Sequence, residues 1–362
     1  MKRALVLGRG ISGKAAESLL AASGYTVDFA EGYDLVIASP GLPVKSELQL
    51  GCEELKRLGW KLLAVTGSKG KSSVVKLVAD ALGGVPCGNY GLSVSRLAAS
   101  GEKPRWAVVE VSSFQLETTQ LGPDTFEAAA ILNLQEDHLD RHGSREVYHA
   151  LKRRLLTMAK RAYLPGACQE SSKRLAAGSY FDNPVLGQNA LAAVELMRAA
   201  GLDDAAIAGA FAAFRPLPHR FERIGFDRER DIEYIDDSKA TSIEAMRAAV
   251  SMVSPQRKIR LIAGGIAKGD NPADACADLT KRVKKVYLIG RSAEAFRQAW
   301  QGAVECVICG TMDKAVAEAS GDAEKGECVL LSPAAASFDQ FENFGVRGDV
   351  FADLVKSKGQ IK

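Results

Sequence analysis

Thr66-Gly67-Ser68-Lys69-Gly70-Lys71-Ser72-Ser73 joins an apolar run to a helical pattern, and no other segment of this chain is better suited to hold phosphate. Its glycines let the backbone approach an anion, Lys71 can bring a point charge to β- and γ-phosphates, and the Ser72 hydroxyl can ligate Mg²⁺. The spacing departs from G-x₄-G-K-[ST], because Val65 stands where the first glycine would be. A lysine at a helix N-terminus opposes the helix dipole unless an anion sits there, so ATP is the expected ligand. A phosphate-bound Mg²⁺ takes further ligands from nearby groups. Glu110, at the end of the run over 106–111, and Asp137-His138, after the run over 128–132, are the candidates. Their bland readings are a solvated strand-end acid and a hydrogen-bonded structural histidine. His142 and His149 read as exposed helix or loop residues, and Lys152, in the basic run Lys152-Arg153-Arg154, reads by residue type alone as a surface helix lysine.

A second glycine turn, Gly8-x-Gly10-x-x-Gly13, follows an apolar run over 4–7, and Glu31 closes the next strand where a ribose contact is usual. This block ends near residue 60, room for one βαβαβ half only. A mononucleotide or nucleoside diphosphate therefore fits better than a dinucleotide, with a plain strand–helix turn as the other reading. A nicotinamide oxidoreductase would explain residues 8–31 and leave the phosphate loop idle.

Positioning these groups requires an α/β chain in three blocks. Strands are expected over 4–7, 25–30 and 34–38 in the first block, and over 61–65, 106–111 and 128–132 in the second, with helices over 71–82, 147–159, 189–200 and 203–214. After Pro216 and Pro218 the alternation is regular: strands over 232–235, 258–263, 286–289, 304–308 and 328–331, with helices over 243–253, 293–300 and 314–319, read as an open doubly wound sheet. The expected domains are 1–60, 61–216 and 217–362.

Composition agrees. At ~150 residues per domain, 362 residues give two or three domains, and 47% hydrophobic with 25% charged residues is the balance of a soluble globular protein. Lys+Arg 47 against Asp+Glu 44 leaves +3, too even for a general polyanion binder, so nucleic acid is not an expected partner. No apolar run approaches the ~20 residues that span a bilayer, and the opening MKRALVLGRG reads as a first strand, not a signal peptide. Seven cysteines, an odd number, fit reduced thiols in a cytoplasmic protein, with Cys306-x-x-Cys309 structural.

Seven ordered segments resemble the ATP-dependent Mur ligases of peptidoglycan synthesis: TGSKGKSS from Thr66, EVSSFQLE from Glu110, NLQEDHLDRHG from Asn133, LPHRFE from Leu217, DDSKATS from Asp236, AGGIAK from Ala263 and LLSPAAASFDQFENFGVRG from Leu330. DSKAT and SPAAASFDQF resemble the D-glutamate-adding branch in particular. The resemblance implies an N-terminal Rossmann-like domain binding UDP, a central P-loop ATPase-like parallel sheet, and a C-terminal Rossmann-like doubly wound sheet binding the amino acid. It implies that ATP phosphorylates the terminal carboxylate of UDP-N-acetylmuramoyl-L-alanine and that the amine of D-glutamate attacks the acyl phosphate.

Residue by residue, the resemblance places Gly67, Ser68, Gly70, Lys71, Ser72 and Ser73 around ATP, one Mg²⁺ on Ser72 and Glu110, and a second Mg²⁺ on His138. Lys152 matches the family lysine that is carbamylated to help place that second metal. Asn89, Ser112 and His138 fall near the muramoyl-alanine end, and Ser12, Glu31, Ser39 and Gly41 match UDP contacts. His219, Arg220, Asp237 and Lys239 look like ATP-side residues, and Thr241, Lys268, Ser337 and Phe344 match positions that hold D-glutamate. A cytoplasmic monomer whose domains close after ATP binding is implied. The sequence departs from the family pattern in having little between Glu31 and Asp34, Lys69 in place of asparagine, Ile266 in place of aspartate, and LGQN where a His-Asn pair is expected. The competing readings are a Mur-like ligase with another nucleotide sugar or amino acid, and a non-catalytic nucleotide-binding relative.

Overall fold

Short β-branched and alanine-rich runs alternate with amphipathic stretches, and each alternation becomes a strand followed by a helix. A computed structural model describes residues 2–31, 44–135, 139–164, 170–183, 185–267 and 269–357. It divides the chain into two units, Met1–Phe214 and Arg215–Lys362.

The first unit opens with β1 (Lys2–Leu7), α1 (Ile11–Ala22) and β2 (Tyr25–Ala30), a two-stranded parallel sheet. Next come α2 (Glu47–Arg57), β3 (Lys61–Thr66), α3 (Lys71–Ala81), β4 (Val85–Gly88), α4 (Val94–Ala98), β5 (Trp106–Glu110), α5 (Ser113–Thr118) and β6 (Ala128–Ile131). The unit ends with α6 (Leu139–His142), α7 (Arg145–Arg154), β7 (Ala162–Tyr163), α8 (Gly187–Ala199) and α9 (Asp204–Ala213). The five strands β4-β5-β3-β6-β7 lie parallel in that order. Leu62–Val65, Ala107–Val109 and Ala128–Ile131 are buried throughout, as expected of a parallel sheet covered on both faces. Helix α2 has no counterpart in the expected elements. Ser46 caps it by accepting from Gln49 N, and Leu48, Cys52 and Leu55 pack on the same core as Leu19 of α1, Trp60 and Leu97. The helix expected over 147–159 starts two residues earlier and stops at Arg154, followed by a 3₁₀ turn, Leu155–Met158.

The second unit runs β8 (Glu222–Asp227), β9 (Ile232–Asp236), α10 (Ile243–Met252), β10 (Ile259–Gly264), α11 (Cys276–Arg282), β11 (Val283–Ile289), α12 (Ala293–Trp300), β12 (Glu305–Gly310), α13 (Met312–Asp322), β13 (Cys328–Leu331) and α14 (Phe344–Lys356). Its sheet order is β12-β11-β10-β13-β9-β8. The doubly wound reading holds for the parallel strands, with α10, α11 and α12 in one apolar layer and α13 and α14 in the other. Strand β8 is an addition: it runs antiparallel to β9 at the edge, joined by a turn in which Asp231 takes φ 52. Its mixed sequence, ERIGFD, gives little strand signal because an edge strand need not be apolar on both sides.

Candidate functional site

In the first unit β3, β5 and β6 deliver their carboxyl ends side by side, the place where parallel α/β sheets bind ligands. The register sets Glu110 beside Val65 and Ile131 beside Thr66. The chain leaves β3 through Gly67 (φ 152) and Gly70 (φ 81), backbone conformations that L side chains resist. Gly70 caps α3, and a Cβ there would lie 2.0 Å from Asn189 Nδ2, so only glycine fits against α8. Ser68 is engaged by its neighbours: its hydroxyl donates to Gln135 O at 3.0 Å and meets Tyr148 Oη at 3.1 Å.

Two cations converge on this loop. Lys71 Nζ donates to Gly67 O at 2.8 Å and to Ser68 O at 3.0 Å, and Lys152 Nζ donates to the same Gly67 O at 2.9 Å. Sharing one acceptor keeps the two ammonium groups within about 6 Å of each other, where like charges repel strongly in a partly dehydrated site. Lys152 is only 1% exposed and stands 4.5 Å over the Tyr148 ring, which corrects its reading as a surface lysine. Glu110, 2% exposed, accepts from Asn89 Nδ2 at 2.7 Å through Oε1, while Oε2 is buried with no hydrogen-bond partner among the described residues. Such an oxygen is costly unless a cation or donor faces it. A carboxylate oxygen beside a loop whose helix opens Lys71-Ser72 is a hard-oxygen set of the kind Mg²⁺ prefers, so these residues fit the metal the resemblance implies.

His142 corrects a second expectation. Its side chain is 1% exposed: Nδ1 faces Glu117 Oε1 at 3.2 Å, Nε2 faces Ser113 Oγ at 3.0 Å, and the ring lies between Phe114 and Tyr148. Ser112 caps α5 in a reciprocal box with Gln115. The hydrogen bond from Arg141 holds the Glu117 carboxyl below its usual range.

In the second unit three loops leave the carboxyl ends of β9, β10 and β13. Gly264 N donates to Pro333 O, and Ile266 and Ala336 exchange two backbone bonds, so the AGGI and SPAAAS segments run as a pair. Arg347 is fully buried beneath them. Its Nε donates to Ser238 Oγ at 2.9 Å, Nη2 to Ser238 O at 2.8 Å and Nη1 to Ala335 O at 3.1 Å, and burial lowers its pKa to about 10. Asp237 accepts from Ser332 Oγ at 3.0 Å and Phe221 N at 3.1 Å, and burial pushes its carboxyl up to about 7. Asp236, fully buried and also raised by burial, accepts from His219 Nδ1 at 2.7 Å and Ser238 N at 2.9 Å. The same histidine that lacked context in the sequence is thus fixed by an acid seventeen positions away. Lys239 stands 4.3 Å over the Phe344 ring, and Phe344 O accepts from Ser238 Oγ at 2.8 Å. Ser337 is buried in the SPAAAS loop.

The expected site residues divide accordingly. Gly67, Ser68, Gly70, Lys71, Ser72, Ser73, Asn89, Glu110, Ser112 and Lys152 gather at one sheet end, and Arg220, Asp237, Lys239, Thr241, Ser337 and Phe344 lie on connected segments at another. Ser12 and Glu31 are exposed, at the start of α1 and just past β2. Ser39, Gly41, His138 and Lys268, with the strand expected over 34–38, fall outside the described residues. Sequence reasoning missed Asn133, Tyr148 and Arg347, and met Asn189 only as the end of LGQN, where the resemblance leads to expect a His-Asn pair. Asn133 and Arg347 lie inside quoted segments, so position within a motif was the one signal available for them.

The Mur ligase middle domain family matches residues 65–165, and the Mur ligase glutamate ligase domain family matches residues 219–335. The UDP-N-acetylmuramoylalanine–D-glutamate ligase of Acidobacterium capsulatum is 34% identical over 89% of this chain and 82% of that protein. The enzyme of the same name from Elusimicrobium minutum is 30% identical over 98% of both, in an alignment of 447 positions against the 362 residues here. Among solved structures, the UDP-N-acetylmuramate–alanine ligase of Thermotoga maritima superposes with a TM-score of 0.63 at 18% identity, covering 99% of this chain and all of that one. The MurF ligase of the same organism, in complex with ADP, gives 0.62 at 15% identity, covering 99% and 95%.

Proposed function

The chain belongs to the Mur ligase family, and from that premise we propose that it uses ATP to join D-glutamate to UDP-N-acetylmuramoyl-L-alanine in peptidoglycan synthesis. The observation that carries this reading is the convergence of Lys71 and Lys152 on Gly67 O beside the unpartnered Glu110 Oε2: a phosphate chain with its divalent cation balances both.

In this reading Lys71 exchanges its carbonyl partners for β- and γ-phosphate oxygens, and Gly67 and Gly70 let the backbone approach them. Glu110 and Ser72 would hold Mg²⁺, which would supply charge neutralisation for phosphoryl transfer. Glu110 is itself oriented by Asn89. The substrate carboxylate attacks the γ-phosphorus, ADP departs, and the carbonyl carbon becomes electrophilic. The D-glutamate amine attacks it, and the tetrahedral intermediate expels inorganic phosphate with loss of a proton from nitrogen. Asn89, Ser112 and His138 attend the muramoyl-alanine end, and His138 would be the ligand of a second metal. Carbamylation of Lys152 belongs to the same proposal: its deprotonated amine forms an N–C bond to CO₂ and loses a further proton, replacing one of two repelling cations with an anion able to help place that metal.

Arg220, Asp237 and Lys239 serve ATP, while Thr241, Lys268, Ser337 and Phe344 hold D-glutamate, the hydroxyls donating to its carboxylates and Lys268 pairing with one. Ser12, Glu31, Ser39 and Gly41 meet UDP. Residues 1–60, 61–216 and 217–362 are the corresponding domains of a monomeric cytoplasmic enzyme. Among the described residues no helix is long and apolar enough to cross a membrane.

ADP and phosphate release from ATP, Mg²⁺ and UDP-N-acetylmuramoyl-L-alanine, assayed across single amino acids, tests the proposal. Release should require D-glutamate and fall on the order of 10³-fold in Lys71→Ala. Release with a different amino acid overturns the specificity, and none with any amino acid overturns the ligase.

A further inference from the structure

Asn133, which follows β6, uses every polar atom of its side chain on the phosphate loop or on what abuts it. Oδ1 accepts from Ser68 N at 3.1 Å and Lys69 N at 2.8 Å, while Nδ2 donates to Lys69 O at 2.9 Å and Asn189 Oδ1 at 3.0 Å. Its own carbonyl also accepts from Ser68 N at 3.1 Å. The amide therefore pairs with Lys69 as a neighbouring strand would, offering an acceptor to its N–H and a donor to its C=O. This loop needs outside support because Val65, at the position of the usual first glycine, is a buried strand residue, so fewer residues are left to wrap a phosphate. Asn133 supplies that support from the next strand and ties the turn to α8 through Asn189, whose Nδ2 sits against Gly70.

We propose that Asn133 is a positioning residue for ATP: it holds the turn over 67–70 so that Lys71 and the start of α3 face the phosphates. One consequence concerns the backbone donors. The N–H groups of Ser68 and Lys69 are directed at Asn133, so the anion is met from Gly70 onward and by the Lys71 ammonium. A neutral amide is required. Aspartate keeps both acceptor positions, but it places a carboxylate against Lys69 O and Asn189 Oδ1 and adds an anion where phosphate must bind.

The inference rests on the ATP reading above, and the test separates the two. ADP affinity by calorimetry is compared for the wild type, Asn133→Ala and Asn133→Asp, with KM for ATP and D-glutamate and with thermal midpoints. Asn133→Ala should weaken ADP and raise KM for ATP about tenfold or more, with KM for D-glutamate held within about twofold. Asn133→Asp should still fold, with a midpoint lowered by the loss of its two donor bonds, and should bind ADP more weakly than Asn133→Ala. If the residue only braces the fold, Asp outperforms Ala because it keeps two acceptor bonds, and that order overturns the inference. Should Asn133→Ala fail to fold, Asn133→Asp decides alone, and ADP affinity within about twofold of wild type overturns it. Wild-type protein that binds no ADP removes the ATP reading itself.

Discussion

The phosphate loop of the first unit and the crevice of the second are both built where parallel strands end, yet their charges are arranged in opposite ways. Around the loop, two lysines share one carbonyl and a buried carboxylate oxygen has no hydrogen-bond partner among the described residues. In the crevice three charged groups are answered from within: buried Asp236 by His219 and Ser238, half-buried Asp237 by Ser332 and Phe221, and buried Arg347 by Ser238 and Ala335. The first arrangement reserves its electrostatics for a ligand of high charge. The second spends its polar groups on holding loops in place, and leaves selectivity to the few side chains those loops present. Mutations should therefore separate activity from stability in the first region and couple them in the second.

The sharpest break of this contrast is Glu110→Gln. Removing the charge should lower D-glutamate-dependent phosphate release by about 10²–10³-fold, as for other groups that complete a charged transition-state environment. It should also leave the thermal midpoint equal or higher, since the buried unpartnered carboxylate costs free energy in the unliganded protein. A midpoint that falls with activity would show Glu110 to be structural.

Arg347→Met tests the other side. It strips three or more buried bonds from Ser238, Ala335 and their neighbours, and should cost about 3–5 kcal/mol, since each buried acceptor left without a donor costs about 1–3 kcal/mol. Chemical denaturation read on the second unit measures it. Unchanged stability would mean the three loops hold themselves.

Asp237→Asn gives a smaller, pH-dependent effect. An ordinary aspartate titrates near 4, and burial raises Asp237 to about 7. The folded state thus favours the protonated acid: that stabilisation is complete below about pH 4 and is lost as pH rises through about 7. Asparagine does not titrate. The midpoint of the variant relative to wild type should rise between about pH 4 and pH 7 and level off above. A flat difference would show that the carboxyl is ionised throughout.

How much of this was legible in the sequence follows from how local each feature is. Strand 328–331 and helix 293–300 emerge with their expected bounds, because each is a self-contained pattern. The phosphate loop was legible for the same reason: its glycines and lysine are adjacent. Lys152 was not, since its burial is created by Gly67 and Tyr148, and only family resemblance raised it above a surface lysine. Asn133 and Asn189 meet across 56 positions, and no local pattern announces that bond. Helix α2 hides because four of its last five residues are charged, while its apolar contacts are Leu48, Cys52 and Leu55 with Leu50 at their edge. His142 looked exposed because it precedes a glycine in a polar run, and what buries it is α5, folded from residues some thirty positions earlier.

His142 also provides the mildest test of the contrast. Glu117 Oε1 lies 3.2 Å from the ring's Nδ1 and Ser113 Oγ 3.0 Å from Nε2, one turn apart on α5, so the imidazole staples that helix to the segment leading into α7. The staple lies three residues beyond Glu110 on one side and ten before Lys152 on the other. His142→Leu keeps the packing against Phe114 and Tyr148 but leaves Ser113 Oγ without its ring partner, a loss of about 1–2 kcal/mol. In a unit the size of Met1–Phe214 that lowers the midpoint by roughly 2–4 °C per kcal/mol. Glutamine can accept from Ser113 and donate to Glu117, so His142→Gln should recover most of the loss. KM for D-glutamate should stay within about twofold in both variants, because that ligand is assigned to the second unit. A larger change in that KM would show the two regions to be energetically coupled, and the division between a ligand-completed loop and a self-completed crevice would then have to be redrawn.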